Sequence, residues 1–164
     1  TFADATFASV RGAWVEVNSL AEQTVLATRL DVATAWPLGD APDLLPTQRW
    51  FGGGFNTHRG APRRGLGPVD SEGDPVGGEW RLLAGVELRQ RFGDWLGASL
   101  FVDTGQVWAS ASEVGAEDLV IAVGAGPMIL TPIGPVHLDI AWNVGERPVD
   151  GSNLVFNFGI GHPY

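Results

Sequence analysis

Apolar and polar residues alternate along most of this chain, and this period of two constrains the fold more than any other feature. Successive side chains of a β-strand point to opposite sides of a sheet, so strict alternation predicts strands with one apolar face. Patterns with the 3.6-residue period of a helix are scarce. The predicted strands lie at about 5–18, 22–37, 78–92, 95–109, 117–131, 134–146 and 152–162. Most connections are short and rich in turn residues, so the predicted fold class is all-β and antiparallel.

The two faces of these strands differ in chemistry. In strand 134–146 one face is apolar throughout, and the other mixes polar and small residues. The first face is Val136, Leu138, Ile140, Trp142 and Val144, and the second is His137, Asp139, Ala141 and Asn143. A soluble sandwich that solvates one face produces the same alternation. The alternation is therefore ambiguous by itself.

Strand length separates these two readings. The predicted strands run for about 10–15 residues, whereas strands of soluble proteins have about 5–6. A tilted strand that crosses a bilayer needs about 9–11 residues, with aromatic side chains near both interfaces. Tryptophans lie mostly near predicted strand ends, at Trp14, Trp36, Trp80, Trp95, Trp108 and Trp142. The pattern favours a transmembrane β-barrel, with a soluble sandwich or a lipocalin-like barrel as the alternative.

Composition excludes several function classes. The 164 residues contain no cysteine, which rules out disulfides, thiol catalysis and thiolate metal sites. The net charge of -9 argues against a nucleic-acid partner, because phosphate binding needs clustered Lys and Arg. His58, His137 and His162 are too scattered to predict a metal site, and no nucleophile elbow is present. We therefore predict no catalytic residue, no metal and no cofactor.

The stretch at about 38–77 interrupts the strand pattern with many prolines and glycines. A loop of this length inside a compact domain is usually functional. The glycines at 52–54 permit positive φ angles, and no following Lys-Ser/Thr pair makes them a phosphate cradle. Because Arg59 follows these glycines and the later strands carry inward carboxylates, we expect the loop to fold back into a barrel interior. The alternative is that Arg59, Glu87 and Asp103 are ordinary solvated charges.

Five segments, in this order, resemble the outer-membrane protein assembly factor superfamily, which includes BamA, TamA and the two-partner secretion transporters. The first, Arg49-Trp50-Phe51-Gly52-Gly53 followed by Arg59-Gly60, is similar to the sixth extracellular loop of that family. The others are Gly85-Val86-Glu87, Phe101-Val102-Asp103-Thr104-Gly105, the hairpin from Thr131 to Asp139, and the closing strand from Leu154 to Gly161. The resemblance covers nearly the whole chain.

The resemblance implies that residues 1–164 form the C-terminal part of an outer-membrane barrel. About seven to eight of about sixteen strands would be present, with a long extracellular loop at about 38–77. Upstream strands and POTRA modules would be absent. The resemblance also implies that Arg59 reaches the lumen and contacts Asp103 and Glu87, with Gly53, Gly60 and Phe101 in the same loop–lumen site.

A lateral seam is the second site that the resemblance implies. It would involve the last strand, at Phe156, Phe158, Gly159 and Gly161. Glycine weakens a strand interior and favours kinks, which suits a seam that opens. The alternative for Gly159 and Gly161 is that they make room for the loop inside the barrel, and the sequence does not separate these two roles.

The implied function is the insertion and folding of outer-membrane β-proteins in the bacterial outer membrane, without enzymatic activity. The implied partners are the lipid bilayer, client β-barrel proteins and periplasmic or lipoprotein accessory subunits. Two alternatives remain, a secretion pore of the two-partner type and a passive anchor for an upstream enzyme domain. His58 and Ala61 depart from the family, which usually has a small aliphatic and an aromatic residue there. These departures predict a more loosely packed loop tip.

Overall fold

The structure, a computed structural model, describes residues 6–39, 43–145 and 153–163, and within them it confirms the predicted all-β fold. Seven strands lie close to their predicted positions, although the predicted strand residues 5, 146 and 152 are outside the described ranges. The strands are β1 (Phe7–Ala21), β2 (Thr24–Pro37), β3 (Trp80–Phe92), β4 (Leu96–Trp108), β5 (Val120–Thr131), β6 (Gly134–Asn143) and β7 (Leu154–Ile160). Two short 3-10 turns, Pro46–Gln48 and Ala111–Glu113, lie in the connections.

All seven strands form one antiparallel sheet whose order follows the chain, from β1 to β7. Two-residue turns at 22–23 and 132–133 and a three-residue turn at 93–95 join strands at one end of the sheet. The described parts of the longer connections, including residues 43–79 between β2 and β3, lie at the other end. β1 continues three residues beyond its predicted end because Ala21 pairs with Thr24 across a register shift.

The inward and outward faces differ as the alternation predicts. On β4, Leu100 points outward and is 59% exposed, whereas Phe101 and Asp103 point inward and are buried. On β6, Leu138 is 53% exposed and Asp139 is 1% exposed. In the described ranges no second sheet packs on the apolar face, since every strand belongs to a single sheet. A soluble sandwich would bury this face against such a sheet, whereas the face is exposed in the described ranges.

The tryptophans follow the predicted placement with one exception. Trp36, Trp80, Trp95 and Trp108 lie at or next to strand ends, and Trp142 is one residue from the end of β6. The prediction is wrong for Trp14, which lies at the middle of β1 because that strand extends to Ala21. No helix within the described ranges is both long and apolar enough to cross a membrane.

The connection between β2 and β3 contains isolated β-bridges and packs against the sheet. Isolated bridges join Trp50 to Gly78 and Gly52 to Leu66, so the loop runs inward and returns beside itself. Its return arm contributes Ala61 and Leu66 to a buried apolar cluster with Leu83, Val107 and Val120 of β3, β4 and β5. This cluster holds the loop against the inner wall, where the candidate site lies.

Replacing Leu100 by Arg tests the assignment of the outward face. At mid-strand the new charge would have to enter hydrocarbon, so we expect a loss of about 2–4 kcal/mol of unfolding free energy. The matched control is Gln106→Arg, on the same face of β4 but near its end, where the expected cost is about 0–1 kcal/mol. Urea unfolding in lipid vesicles, followed by tryptophan fluorescence, measures both. Equal costs for the two variants would contradict the assignment.

Candidate functional site

The tip of the loop is a compact turn that projects Arg59 into the sheet interior. The Gly54 N–H donates to the carbonyls of His58 and Ala61, at 3.1 and 2.9 Å. The Thr57 hydroxyl donates to the Gly53 carbonyl at 2.7 Å. Gly53 has a φ of 109°, and a Cβ there would overlap the Pro62 carbonyl. Glycine is therefore required at position 53 for the turn to close.

The Arg59 guanidinium binds two carboxylates of the inner wall. Its Nε and Nη2 donate to the two oxygens of Asp103 on β4, at 2.8 and 3.1 Å. Its Nη1 donates to Glu87 Oε2 on β3 at 2.5 Å. The Arg59 backbone N–H also donates to Asp103 Oδ2, at 3.1 Å. All three side chains are 0% exposed, so this fork geometry satisfies charges that water does not reach.

The Phe101 ring stacks against the face of the Arg59 guanidinium. The Arg59 Cζ lies 3.4 Å from the centroid of the Phe101 ring, within the range of a cation–π contact. The ring is itself held over Gly124 of β5, where a Cβ would overlap it. The arginine is therefore fixed by an aromatic face as well as by carboxylates.

Three further residues of the site were not predicted from the sequence as partners of the loop. Asp139 on β6 accepts from Arg59 Nη1 at 3.4 Å. The side-chain amides of Asn143 on β6 and Asn157 on β7 donate to the carbonyls of Gly60 and Arg59, at 2.6 and 2.8 Å. The alternation does put all three on the inward face, and that is the signal that could have identified them. Their pairing with particular loop atoms depends on register and on how deeply the loop enters.

The ionised groups of the site balance in number. Arg89 donates to Glu87 at 2.5 Å, and Arg29 lies 3.9 Å from Asp103. Among the described side chains of this cluster, the wall thus supplies two cations for three carboxylates, Glu87, Asp103 and Asp139. Arg59 provides the third cation. A carboxylate left unmatched in a buried site is costly, so the charge of the wall favours a docked loop.

A second ionic cluster anchors the base of the loop. Arg81 on β3 donates to Asp31 on β2 at 2.7 Å and to the Phe51 carbonyl at 3.0 Å. Its guanidinium also lies 4.9 Å from the Trp50 ring. Arg11 on β1 reaches the same Asp31 at 2.6 Å. The loop is consequently tied at two levels of the wall, near its base and at its tip.

The two departures from the family pattern are both buried. His58 is 0% exposed, and its Nε2 lies 3.1 Å from the Val120 carbonyl, so the neutral ring donates there. Burial lowers the pKa of His58 below its usual value, although the Asp103 carboxylate opposes this shift. Ala61 is also 0% exposed, inside the apolar cluster of the loop. In this chain, His58 and Ala61 leave no solvent-exposed gap at their own positions.

The predicted seam residues lie apart from the arginine cluster. Phe156 and Phe158 point outward and are 71% and 64% exposed. Gly159 points inward, where a Cβ would overlap the Phe55 ring of the loop. Gly161 has a φ of 88°, and the chain turns there so that Pro163 is buried. Of the predicted loop–lumen residues, the structure brings Arg59, Gly60, Glu87, Asp103 and Phe101 together, with Gly53 at the start of the tip.

A family model decides the classification of this sheet and its docked loop. The model for the Omp85 superfamily domain matches residues 6–164, nearly the whole chain. The chain belongs to the Omp85 superfamily. This confirms the resemblance seen in the sequence motifs. An inward loop and a long-stranded antiparallel sheet are thus features of an Omp85 domain in this chain.

The fold is similar to that of a solved structure, the crystal structure of BamA from Haemophilus ducreyi lacking POTRA domains 1–3. The TM-score is 0.70 at 18% sequence identity. The match covers 93% of this chain and 34% of the BamA chain. This chain therefore spans about a third of the length of that crystallised chain, and the likeness establishes a shared fold.

Substitutions of Arg59 test the ionic anchor of this Omp85 loop. Arg59→Ala leaves buried carboxylates unmatched, so we expect loop docking to weaken by about 3–5 kcal/mol. Arg59→Lys keeps the charge but loses the planar fork, and should fall between Ala and the native residue. Protease cleavage within the loop measures docking. Arg63→Ala, at an exposed position of the same loop, is the control and should change docking by less than about 0.5 kcal/mol. Equal cleavage of both alanine variants would contradict the anchor.

Burial of neutral His58 predicts that docking of the Omp85 loop depends on pH. Below pH 6.5 a released loop binds a proton at His58 and the docked loop does not, because its pKa is lowered. Docking should therefore be strongest above that pH and fall by up to about tenfold per pH unit below it. The control, His58→Gln, keeps an N–H donor for the Val120 carbonyl and does not titrate. Loop proteolysis between pH 7.5 and 5.5 measures the difference, and identical pH profiles would refute it.

Proposed function

We propose that this chain is the C-terminal part of a bacterial outer-membrane barrel that inserts and folds other outer-membrane β-proteins. Membership of the Omp85 superfamily supports this class of function. The observation that carries the proposal is the position of β7, which ends the described sheet beside the docked loop. β7 pairs with β6, and within the described residues its other edge has no strand partner.

A strand edge is the chemical basis of the proposed activity. Unpaired N–H and C=O groups cannot face hydrocarbon, so a membrane sheet has to close on itself. In a whole barrel, β7 would pair with an upstream first strand. If that seam parts, the edge of β7 offers backbone donors and acceptors to a client strand, which is β-augmentation. Phe156 and Phe158 on the outward face would keep β7 in contact with lipid meanwhile.

The docked loop is proposed to keep the inner wall rigid while the seam moves. The Arg59 cluster joins β3, β4 and β6 through buried side chains, so these strands hold a fixed relation to the loop. A wall that stays closed confines opening to the single seam. No covalent step is needed, and the proposal invokes no cofactor. The partners would be the bilayer, client β-barrel proteins and periplasmic or lipoprotein accessory subunits.

A disulfide across the seam tests the proposal. One cysteine replaces Val155 of β7 and the other lies at the facing position of the first barrel strand, in the reconstituted protein. Residues 1–164 contain no cysteine that could pair with the introduced one. Insertion of a client barrel into liposomes should fall to the level of empty liposomes when the lock is oxidised, because the edge stays covered.

Reduction of the same sample is the control, and it should restore insertion together with the free thiols. Each single-cysteine variant should insert clients whether or not oxidant is present. Unimpaired insertion by the locked barrel would eliminate the seam mechanism. Secretion of a soluble passenger by the locked barrel, without client insertion, would instead favour the transporter alternative.

A further inference from the structure

β7 is held to the sheet less securely than the interior strands. It forms one ladder, from Val136↔Ile160 to Trp142↔Leu154 with β6. β6 pairs on both sides, with β5 and with β7. A further contact therefore contributes a larger share of the interactions that hold β7 in place than the same contact would for β6. The loop supplies two such contacts.

The first contact is a hydrogen bond from β7 to the backbone of the loop tip. The Asn157 side-chain amide donates to the Arg59 carbonyl at 2.8 Å. The guanidinium of that same residue is bound to Asp103 and Glu87 of β4 and β3. One residue thus joins β7 to strands that lie three and four positions away in the sheet.

The second contact is packing between the loop and a glycine of β7. The Phe55 ring lies against Gly159, at a place that a Cβ would fill. The same ring lies 5.5 Å from the ring of His137 on β6. This contact puts Phe55 against both β6 and β7, next to the hydrogen bond of Asn157.

Asn143 provides a natural comparison within the site. Its amide donates to the Gly60 carbonyl at 2.6 Å, one residue from the carbonyl that Asn157 binds. The two asparagines make the same kind of bond to adjacent groups. Asn143, however, lies on β6, which two ladders already hold. Loss of its bond should loosen the backbone at Gly60, while Arg59 stays bound to Asp103 and Glu87 and keeps its hydrogen bond from Asn157.

From these contacts we propose that Asn157 is the positioning residue of the seam, acting through the Arg59 carbonyl to tie the edge strand to the docked loop. The inference rests on the proposed function, since it names what regulates the opening of the same edge. Undocking of the loop and release of β7 are then coupled. A loop locked in the acidic cluster keeps β7 in place, and a loop that leaves the cluster releases it.

Hydrogen–deuterium exchange of the reconstituted protein tests the coupling without any client. Asn157→Leu keeps the side-chain size and removes the donor, so amides of 154–160 and of 55–61 should both exchange faster, by about three- to tenfold for one lost hydrogen bond. In the matched control, Asn143→Leu, only the amides of 55–61 should accelerate. Unchanged exchange in β7 of the Asn157 variant, or equal acceleration of β7 in both variants, would overturn the proposal.

Arg59→Ala gives a second measurement that does not depend on how well Leu fits at position 157. Releasing the loop removes the partner of Asn157, so exchange in β7 should accelerate in this variant as well. Adding Asn157→Leu to Arg59→Ala should then cause no further acceleration, whereas additive effects would show that the asparagine acts independently of the loop. A client-insertion assay on the same samples separates the two proposals. Coupled exchange without insertion by the native protein refutes the function, and insertion without coupled exchange refutes the role of Asn157.

Discussion

The buried pairing of the Arg59 guanidinium with Asp103 and Glu87 is the interaction on which the interior of this sheet depends. Without the arginine, the described part of this cluster would hold three carboxylates and two cations, all of them buried. Burying an unmatched charge costs more than most single contacts return. The docked loop is therefore a structural part of the inner wall, held there by buried ionic contacts. Its backbone carbonyls at positions 59 and 60 also accept hydrogen bonds, from Asn157 and Asn143.

Alternation along the chain predicted the strands and the chemistry of their faces, and the short connections predicted their antiparallel arrangement. Period-two patterns are local, and a strand with one buried face keeps its phase along its whole length. The predicted strand ends were less accurate, because the alternation of apolar and polar residues does not show where a strand stops. β7 ends at Ile160 instead of 162 because Gly161 adopts a positive φ. Trp14 lies at the centre of β1 because that strand ends at Ala21 instead of at residue 18.

The site was harder to predict because it combines residues that are distant in sequence. Asp103 and Glu87 could be placed on the inward face and assigned to Arg59 through the family motifs. Asp139 and Asn157 have the same inward orientation, but strand register and the depth of the loop together decide that they contact Arg59. Gly159 illustrates the same limit. Two roles were compatible with its sequence, and the contact with Phe55 shows that it at least makes room for the loop.

The position of the loop in the chain has a consequence for the order in which this domain is built. Arg59 precedes every strand that binds it, since β3, β4, β6 and β7 all follow the loop in sequence. The complete set of Arg59 contacts can form only after those later segments have joined the sheet. The hydrogen bond from Asn157 to the Arg59 carbonyl can therefore form only once β7 is in place, whereas the bonds to Glu87 and Asp103 need only β3 and β4.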